Sequence, residues 1–130
     1  MKVLVCGSRD WLNEPAVERE LLKLPKGTII VHGDCPTGAD AIADKVARRL
    51  GFEVRPYPAN WEGELAATGS SKAAGPKRNA KILREEHPDK AGKPFTFGLA
   101  FTEDLARSRG TKDMTERARK AGVRMIVVSS

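Results

Sequence analysis

Five short apolar segments separated by helical patterns constrain the fold of this chain more than any other feature of its sequence. Runs such as KVLVC and TIIV are aliphatic and β-branched and stop at a glycine or a polar residue, which is typical of strands buried on both faces. Strands are predicted over residues 2–6, 28–31, 52–57, 95–101 and 123–128, and helices over residues 14–24, 39–50, 73–86 and 111–121. This alternation predicts a mainly parallel sheet of about five strands, because parallel strands need crossover connections.

The predicted fold class is α/β, a Rossmann-like three-layer α/β/α sandwich, since right-handed crossovers place helices on both faces of a parallel sheet. A length of 130 residues predicts a single domain over residues 1–130. Phe95, Phe97, Leu99 and Phe101 alternate along the fourth predicted strand, and we expect them in the core. Residues 59–72 are rich in small side chains without a regular pattern, and they predict a long irregular loop at a binding site.

The charge of the chain favours an anionic partner. Lys and Arg number 23 against 17 Asp and Glu, a formal net charge of +6, which suits nucleic acid, phosphate-bearing small molecules or simply a solvated basic surface. The sequence has no apolar run of roughly 18 residues and no signal-peptide core. We therefore expect a cytoplasmic protein without a membrane partner, in which Cys6 and Cys35 are reduced thiols.

Three glycine-containing turns, GSRD, HGDCPTGAD and SRGTKD, follow the first, second and fourth predicted strands. Ligands of open α/β sheets bind at this carboxyl edge, where helix N-termini offer free N–H groups and a positive dipole end to a phosphate. Thr37 and Gly38 are predicted to form a helix start whose N–H groups face the ligand. The candidate phosphate-binding residues of the turns are Gly7, Ser8, Arg9, Gly33, Thr37, Gly38, Ser108, Gly110 and Thr111.

Three other residues near these turns each allow a functional and a structural interpretation. Asp40, in the first turn of a predicted helix, either complements the helix dipole or accepts a hydrogen bond from a ribose hydroxyl. His32 is either an acid/base group or a hydrogen-bonded structural residue at a strand end. Trp61 either stacks on a base or packs its own loop.

Five motifs carry a family resemblance: GSRDW, HGDCPTGADAIADKVAR, PANW, AGPKRNAKIL and SRGTKDMTERARKAGV. Together they resemble the YspA-like, cpYpsA-related branch of the SLOG superfamily along nearly the whole chain. The resemblance implies a Rossmann-like fold and a nucleotide-derived ligand such as ADP-ribose, an NAD-related compound or a nucleoside monophosphate, and it makes a homodimer an expected assembly. The superfamily also includes the LOG phosphoribohydrolases, which release a base from a nucleoside monophosphate, and the DprA DNA-binding proteins.

The chain departs from the LOG enzymes at the motif PGGxGTxxE, where it reads ARSRGTKDM. Gly110 and Thr111 match the GT pair, Ser108 replaces a glycine, and Met114 stands in place of the glutamate. A thioether cannot act as a general base or stabilise an oxocarbenium-like charge. If the protein is an enzyme, the carboxylates that could substitute are Asp40, Asp113 and Glu116.

The segment GPKRN contributes further candidates. Arg78 resembles the arginine that LOG enzymes carry upstream of their glycine motif, and its guanidinium can hold a phosphate or transition-state charge through two hydrogen bonds. Lys77 adds a positive charge, and Asn79 could bond a ribose or a base edge. A solvated helix start after Pro76 is the structural alternative for this cluster.

Four hypotheses follow from these residues. The first, favoured by the intact turns and by Met114, is a sensor or binding domain for a nucleotide-derived ligand. The alternatives are an N-glycosidase-type nucleotide hydrolase, with Arg78 as a further catalytic candidate, and a DprA-like nucleic-acid-binding protein with basic residues Lys72, Lys77, Lys81 and Arg84. A metal site at His32, Cys35 and His87 is weakly indicated because their spacing matches no known ligand set, so no metal and no resident cofactor are predicted.

Overall fold

The computed structural model describes residues 1–88 and 92–130. The strands are β1 (Lys2–Gly7), β2 (Ile29–His32), β3 (Glu53–Pro56), β4 (Phe97–Phe101) and β5 (Met125–Val128). The helices are α1 (Glu14–Leu21), α2 (Ala39–Arg49), α3 (Trp61–Thr68), α4 (Ala74–Glu86) and α5 (Arg109–Lys120).

The described strands form one parallel sheet in the order β3-β2-β1-β4-β5, which confirms the predicted α/β class and Rossmann-like architecture. β1 occupies the centre, with Leu4 paired to Val31 of β2 on one side and to Gly98 of β4 on the other. The chain runs outward from β1 to β3 and then returns to place β4 on the opposite side of β1. This reversal opens a crevice at the carboxyl ends of β1 and β4, the position at which open α/β sheets bind ligands.

Alternate side chains of the sheet enter two apolar layers. On one face Val3, Val5 and Phe101 pack against helices α1 and α2. On the other face Leu4 and Val31 pack against α4 and α5. The two buried layers and the two helical layers explain why the strands read as continuous apolar runs rather than as alternating sequences.

Local signals in the sequence fix most element ends. Asn13 caps α1, where its Oδ1 accepts a hydrogen bond from the backbone N–H of Ala16 at 3.1 Å. The helix ends at Leu21 rather than at residue 24 as predicted, and Pro25 disfavours a helical conformation at the residue before it. Gly51 ends the connection from α2 with φ of 83°, a conformation that glycine adopts without strain.

The fourth strand is shorter than predicted. β4 begins at Phe97, and Phe95 lies outside it, buried on the α4 side of the sheet against His87 with a ring-centroid distance of 6.0 Å. Leu99 and Phe101 are buried and Phe97 is half-buried against the opposite layer. The predicted core role of all four residues is confirmed, although they divide between two layers.

The prediction of an irregular loop over residues 59–72 is wrong for its central part. Trp61–Thr68 forms α3, capped by Asn60, whose Oδ1 accepts a hydrogen bond from the Gly63 N–H at 3.1 Å, and closed by Gly69 with φ of 79°. None of its residues is buried. A helix without a buried face has no apolar stripe, so the hydrophobic pattern gave no signal for it.

Among the described residues, no helix has both the length and the apolar composition needed to cross a membrane.

A buried ion network ties the amino end of β1 to the end of α4. Glu86 accepts hydrogen bonds from Lys2 Nζ at 3.0 Å, from Arg55 Nη1 at 2.9 Å and from the Tyr57 hydroxyl at 2.7 Å. Lys2 and Glu86 are both buried. Burial by itself would raise the pKa of Glu86, but hydrogen bonds from Tyr57, Lys2 and Arg55 hold that pKa below its usual value.

We expect Glu86→Gln to lower the free energy of unfolding by about 3 kcal/mol at neutral pH, because it leaves the buried Lys2 ammonium without its counter-charge. The lowered pKa of Glu86 means that its contribution is complete above its ordinary pKa of 4.5 and is lost as the pH falls through the lower folded value. Urea unfolding of both proteins at several pH values measures this difference. A gap between them that does not shrink in acid would contradict the assignment.

Candidate functional site

A cavity of about 960 Å³ opens at the carboxyl ends of β1, β2 and β4, where α5 begins. Ten of the predicted site residues line it: Gly7, Ser8, Arg9, Gly33, Asp40, Arg78, Asn79, Ser108, Gly110 and Thr111. Trp61 lines a smaller adjoining cavity of about 310 Å³. The predicted residues that line neither cavity are Thr37, Gly38, Lys77, Asp113 and Glu116.

The N-terminus of α5 borders the larger cavity without a side-chain cap. Ser108 occupies the N-cap position, yet its hydroxyl makes no capping hydrogen bond, and the first turn contains no acidic residue. Gly110 and Thr111 of this turn line the cavity. Unpaired N–H groups and the positive end of the helix dipole therefore meet at the cavity wall, which is the arrangement that holds an anion.

The Ser108 hydroxyl belongs instead to a triangle of three hydroxyl groups on the cavity wall. Ser8 Oγ lies 2.7 Å from Thr102 Oγ1 and 2.6 Å from Ser108 Oγ, and the last two atoms are 2.8 Å apart. These residues come from the ends of β1 and β4 and from the start of α5. Hydroxyl hydrogens rotate freely, so the triangle can donate to an acceptor at this helix N-terminus.

Arg78 of α4 lies flat against the backbone after β2. Its Nη1 donates to the carbonyl oxygen of Gly33, and its Nε donates to Asn79 Oδ1 at 2.9 Å. A Cβ atom at Gly33 would lie 2.6 Å from Arg78 Nη1 and 2.7 Å from its Cζ, so glycine is needed here for the guanidinium to fit. Within the described residues, no carboxylate forms a salt bridge with Arg78.

A chain of side chains behind Arg78 fixes its orientation. Asn79 is buried, and its Nδ2 donates to Asp113 Oδ2 at 3.0 Å. The same Asp113 oxygen accepts from Arg117 Nε at 2.9 Å. Asp113 therefore acts on the cavity through Asn79 and Arg78 rather than by facing it. Glu116 is exposed on α5 away from both cavities.

The turn after β2 is shaped by His32. This buried histidine has Nε2 at 2.7 Å from Asp44 Oδ2, and its Nδ1 accepts the backbone N–H of Asp34 at 2.9 Å. The acceptor role of Nδ1 places the ring proton on Nε2. Asp34 has φ of 55°, an unusual value for a residue with a side chain, and the hydrogen bond to His32 supports it. The structural interpretation of His32 accounts for both ring nitrogens.

The N-terminus of α2 supports the neighbouring turn instead of opening toward the cavity. The N–H of Ala39 donates to the Ser8 carbonyl at 3.0 Å, and the Thr37 hydroxyl donates to the Arg9 carbonyl at 3.0 Å. Gly38 has φ of 78°, and a Cβ atom there would collide with the Ser8 carbonyl oxygen. Thr37 and Gly38 thus hold the GSRD turn in place, and the N–H of Ala39 has a protein acceptor.

Asp40 lines the larger cavity and has one buried carboxyl oxygen without a hydrogen-bond partner among the described residues. The residue is 4% exposed, its Oδ2 accepts the Cys35 N–H at 3.3 Å, and its Oδ1 has no hydrogen-bond partner among the described residues. Burial raises the pKa of Asp40, and it also raises the pKa of Cys35 and that of Cys6, the latter to about 12. The cavity floor therefore combines a carboxyl in need of a donor with two unionised thiols.

Met114, discussed above for its sequence position, and Thr102, which was not predicted, both belong to the cavity wall. Met114 is 2% exposed and lines the cavity, so a thioether occupies the wall at the position of the LOG glutamate. Thr102, together with Arg107 and Arg109, also lines the cavity but was not predicted. Thr102 directly follows β4, and the rule that ligands bind beyond strand ends would have identified it.

Among the residues that the structure describes, no group of three His, Cys, Asp or Glu side chains could hold a metal ion. His87 lies at the end of α4, where its Nδ1 accepts the Phe95 N–H at 3.0 Å, apart from His32 and Cys35 of the second turn.

We expect Asp40→Asn to raise the free energy of unfolding by about 1 kcal/mol at neutral pH, because it removes a buried ionisable group whose Oδ1 has no partner. The raised pKa of Asp40 means that the wild-type protein loses stability as the pH rises above 3.8 through the folded value. The advantage of the variant should therefore grow from mildly acidic to neutral pH. Urea unfolding at both pH values measures it, and a variant less stable at neutral pH would contradict the expectation.

The chain matches the family model of YAcAr, described as the YspA, cpYpsA-related SLOG family, over residues 1–63. This region runs from β1 into the first turn of α3 and supplies Ser8, Arg9, Gly33 and Asp40 to the site. No curated protein matches the chain. Residues 1–63, just under half of the chain, are similar to the YspA, cpYpsA-related SLOG family, and this match supports the predicted YspA-like branch.

Proposed function

We propose that this protein binds a nucleotide or a nucleotide derivative, such as ADP-ribose, an NAD-related compound or a nucleoside monophosphate, in the larger cavity. Similarity to the SLOG family suggests nucleotide-related binding or processing. The observation that carries the proposal is the uncapped N-terminus of α5 at the wall of a cavity whose floor holds the unpaired Asp40 oxygen. The first feature favours an anion at one end of the ligand, and the second favours a hydrogen-bond donor at the other.

Positive charge around the cavity supports a phosphate as the anion. Arg78 points its guanidinium along Gly33, and within the described part of the chain neither Arg78 nor Arg109, which lines the same cavity, is paired with a carboxylate. Arg107 also lines the cavity, but its Nε lies 3.3 Å from Asp104 Oδ2, so its charge is partly neutralised. A guanidinium can bind phosphate through two parallel hydrogen bonds. The volume of about 960 Å³ lies at the upper end of the range usual for small-molecule sites, which accommodates a nucleotide.

The carboxylates favour binding over turnover. Met114 replaces the LOG glutamate in the wall, Asp113 is bonded to Asn79 and Arg117, and Glu116 lies outside the cavity. Asp10, Glu103 and Asp104 also line the cavity but are exposed, whereas Asp40 is buried there. The Asp40 oxygen that has no described partner favours one alternative, an N-glycosidase-type hydrolase that uses Asp40 near the ribose. We place sensing or binding first and hydrolysis second.

Nucleic-acid binding of the DprA kind receives less support from the basic residues that suggested it. Lys77 Nζ lies 2.8 Å from both carboxylate oxygens of Glu64, and Lys81 lies 3.9 Å from Glu85. Their positive charges are therefore partly neutralised within the protein. A phosphate backbone is bound through a row of unpaired cations, and the pairing of these lysines interrupts such a row.

Equilibrium dialysis tests the proposal directly. The protein is dialysed against a mixture of nucleoside monophosphates, NAD and ADP-ribose, and both chambers are read by chromatography. Enrichment of one intact compound supports a binding protein, whereas a free base or another breakdown product that is absent with Arg78→Ala supports the hydrolase. No enrichment and no product would refute both.

Replacing Arg78 with alanine should weaken binding of the enriched nucleotide by about 1.5 to 3 kcal/mol, the range for a hydrogen bond to a charged group. Isothermal titration measures the change. Arg84→Ala is the matched control, because Arg84 is an exposed arginine of the same helix that lines neither cavity. Equal losses in the two variants would indicate a general charge effect and remove Arg78 from the site.

Replacing Gly110 with valine should abolish phosphate binding while the fold is retained. A Cβ atom at Gly110 meets no protein atom within 4 Å, so the side chain has room in the protein but fills space at the N-terminus of α5. Circular dichroism checks the fold and titration checks affinity. Ala106→Val, at an exposed position outside the cavity just before α5, is the control. Undiminished affinity in Gly110→Val would exclude this helix start as the phosphate site.

A further inference from the structure

The smaller cavity, of about 310 Å³, adjoins the larger one and shares part of its wall. Arg9, Gly33, Cys35 and Arg78 line both cavities, so a ligand can extend from one into the other. The remaining wall of the smaller cavity is mostly apolar: Pro36, Pro58, Ala59 and Trp61 form it together with one acidic residue, Asp34. Apolar walls around an indole are suited to a planar aromatic ring.

Trp61 is placed as a stacking surface rather than as a core residue. It is the first residue of α3 and is 39% exposed, and α3 has no buried residue. On one side the indole stands over Gly75 of α4, where a Cβ atom would lie 3.4 Å from Trp61 Cη2. The indole thus lies within van der Waals reach of the first turn of α4.

Arg9 covers the indole, with its Cζ 5.4 Å from the ring centroid. In the described part of the chain the Arg9 guanidinium forms neither a salt bridge nor a hydrogen bond. Its position is therefore held by the cation–π contact with Trp61. Such a contact is weak at an exposed site. An arginine held so weakly at the boundary of the two cavities can leave the ring when an anion arrives.

We propose that the smaller cavity is the base subsite: the aromatic base of the ligand stacks on the Trp61 face that Arg9 covers in the free protein, and Arg9 turns to the ligand phosphate. This inference rests on the proposed function, since it assigns the two ends of a nucleotide to two cavities. Trp61 then determines specificity for an aromatic ring, while the N-terminus of α5 and Arg78 bind the phosphate. Arg9 then loses its attraction to the electron-rich face of the indole and gains a stronger attraction to the negatively charged phosphate, so its move to the ligand is favourable.

The test compares AMP with ribose 5-phosphate, which has the same sugar phosphate without the base. Trp61→Ala should weaken AMP binding roughly 5- to 150-fold, the range for stacking of one base on an aromatic side chain, and should leave ribose 5-phosphate binding unchanged. Trp61→Phe should recover most of the AMP affinity. Leu65→Ala is the matched control, because Leu65 is a 54% exposed residue of the same helix that lines neither cavity.

A second measurement uses the wild-type protein and does not depend on a variant that folds. The chain contains two tryptophans, of which Trp11 is buried and Trp61 is exposed. Acrylamide therefore quenches mainly Trp61 in the free protein. AMP should protect this fluorescence from acrylamide, and ribose 5-phosphate should not.

The outcomes separate this inference from the proposed function. If AMP binds but Trp61→Ala lowers the affinities for AMP and ribose 5-phosphate equally, the base subsite is overturned and the phosphate site stands. The same conclusion follows if Trp61→Ala changes neither affinity. If neither phosphate compound binds but adenosine binds and protects Trp61, the base subsite stands and the proposed phosphate site fails. If AMP, ribose 5-phosphate and adenosine all fail to bind, both are overturned.

Discussion

The central position of β1 between β2 and β4 is the constraint on which the rest of the structure depends. Gly7 at its end is packed so closely against the Ala39 side chain and the Phe101 carbonyl that a Cβ atom would collide with both. The Ser8 N–H then donates to that same carbonyl at 2.9 Å, and the Ser8 carbonyl accepts from Ala39. The first turn is thus bonded to β4 on one side and to α2 on the other, and its Ser8 hydroxyl also contacts Ser108 at the start of α5, on the cavity wall.

Each of the three turns does a different task within one site. The turn after β4 leads into α5 and leaves a helix N-terminus open to the cavity. The turn after β2 supplies Gly33 as a surface for Arg78, and its His32 bonds fix the backbone at Asp34. Asp113, Asn79 and Arg78 form one hydrogen-bonded series that links α5 to α4 on the sheet face of Leu4 and Val31. This series orients the Arg78 guanidinium before a ligand binds.

Most of the fold could be predicted from the sequence, and eleven of the sixteen predicted site residues line one of the two cavities, for identifiable reasons. Buried strands and amphipathic helices leave periodic patterns, and Asn13 and Gly51 mark element ends. Helix α3 leaves no such pattern because its residues stay at the surface. Thr37 and Asp113 lie in the predicted turns but outside the cavity, because their side chains form hydrogen bonds with other parts of the protein. Whether a turn side chain points to the cavity or to the protein depends on three-dimensional packing.

The sequence by itself determined the parallel sheet, the three glycine turns at one edge and the positive charge that favours an anionic ligand, since each depends on local pattern or composition. The tertiary structure alone decided which of the helix starts without a side-chain cap places its free N–H groups at the cavity. Every helix of this fold begins with unpaired N–H groups, but α2 has an N–H occupied by the Ser8 carbonyl whereas α5 lacks a cap because its Ser108 hydroxyl bonds to Ser8 and Thr102. Ser8 is distant in sequence from Ser108, so the hydrogen bond that removes the cap forms only when β1 and β4 lie side by side.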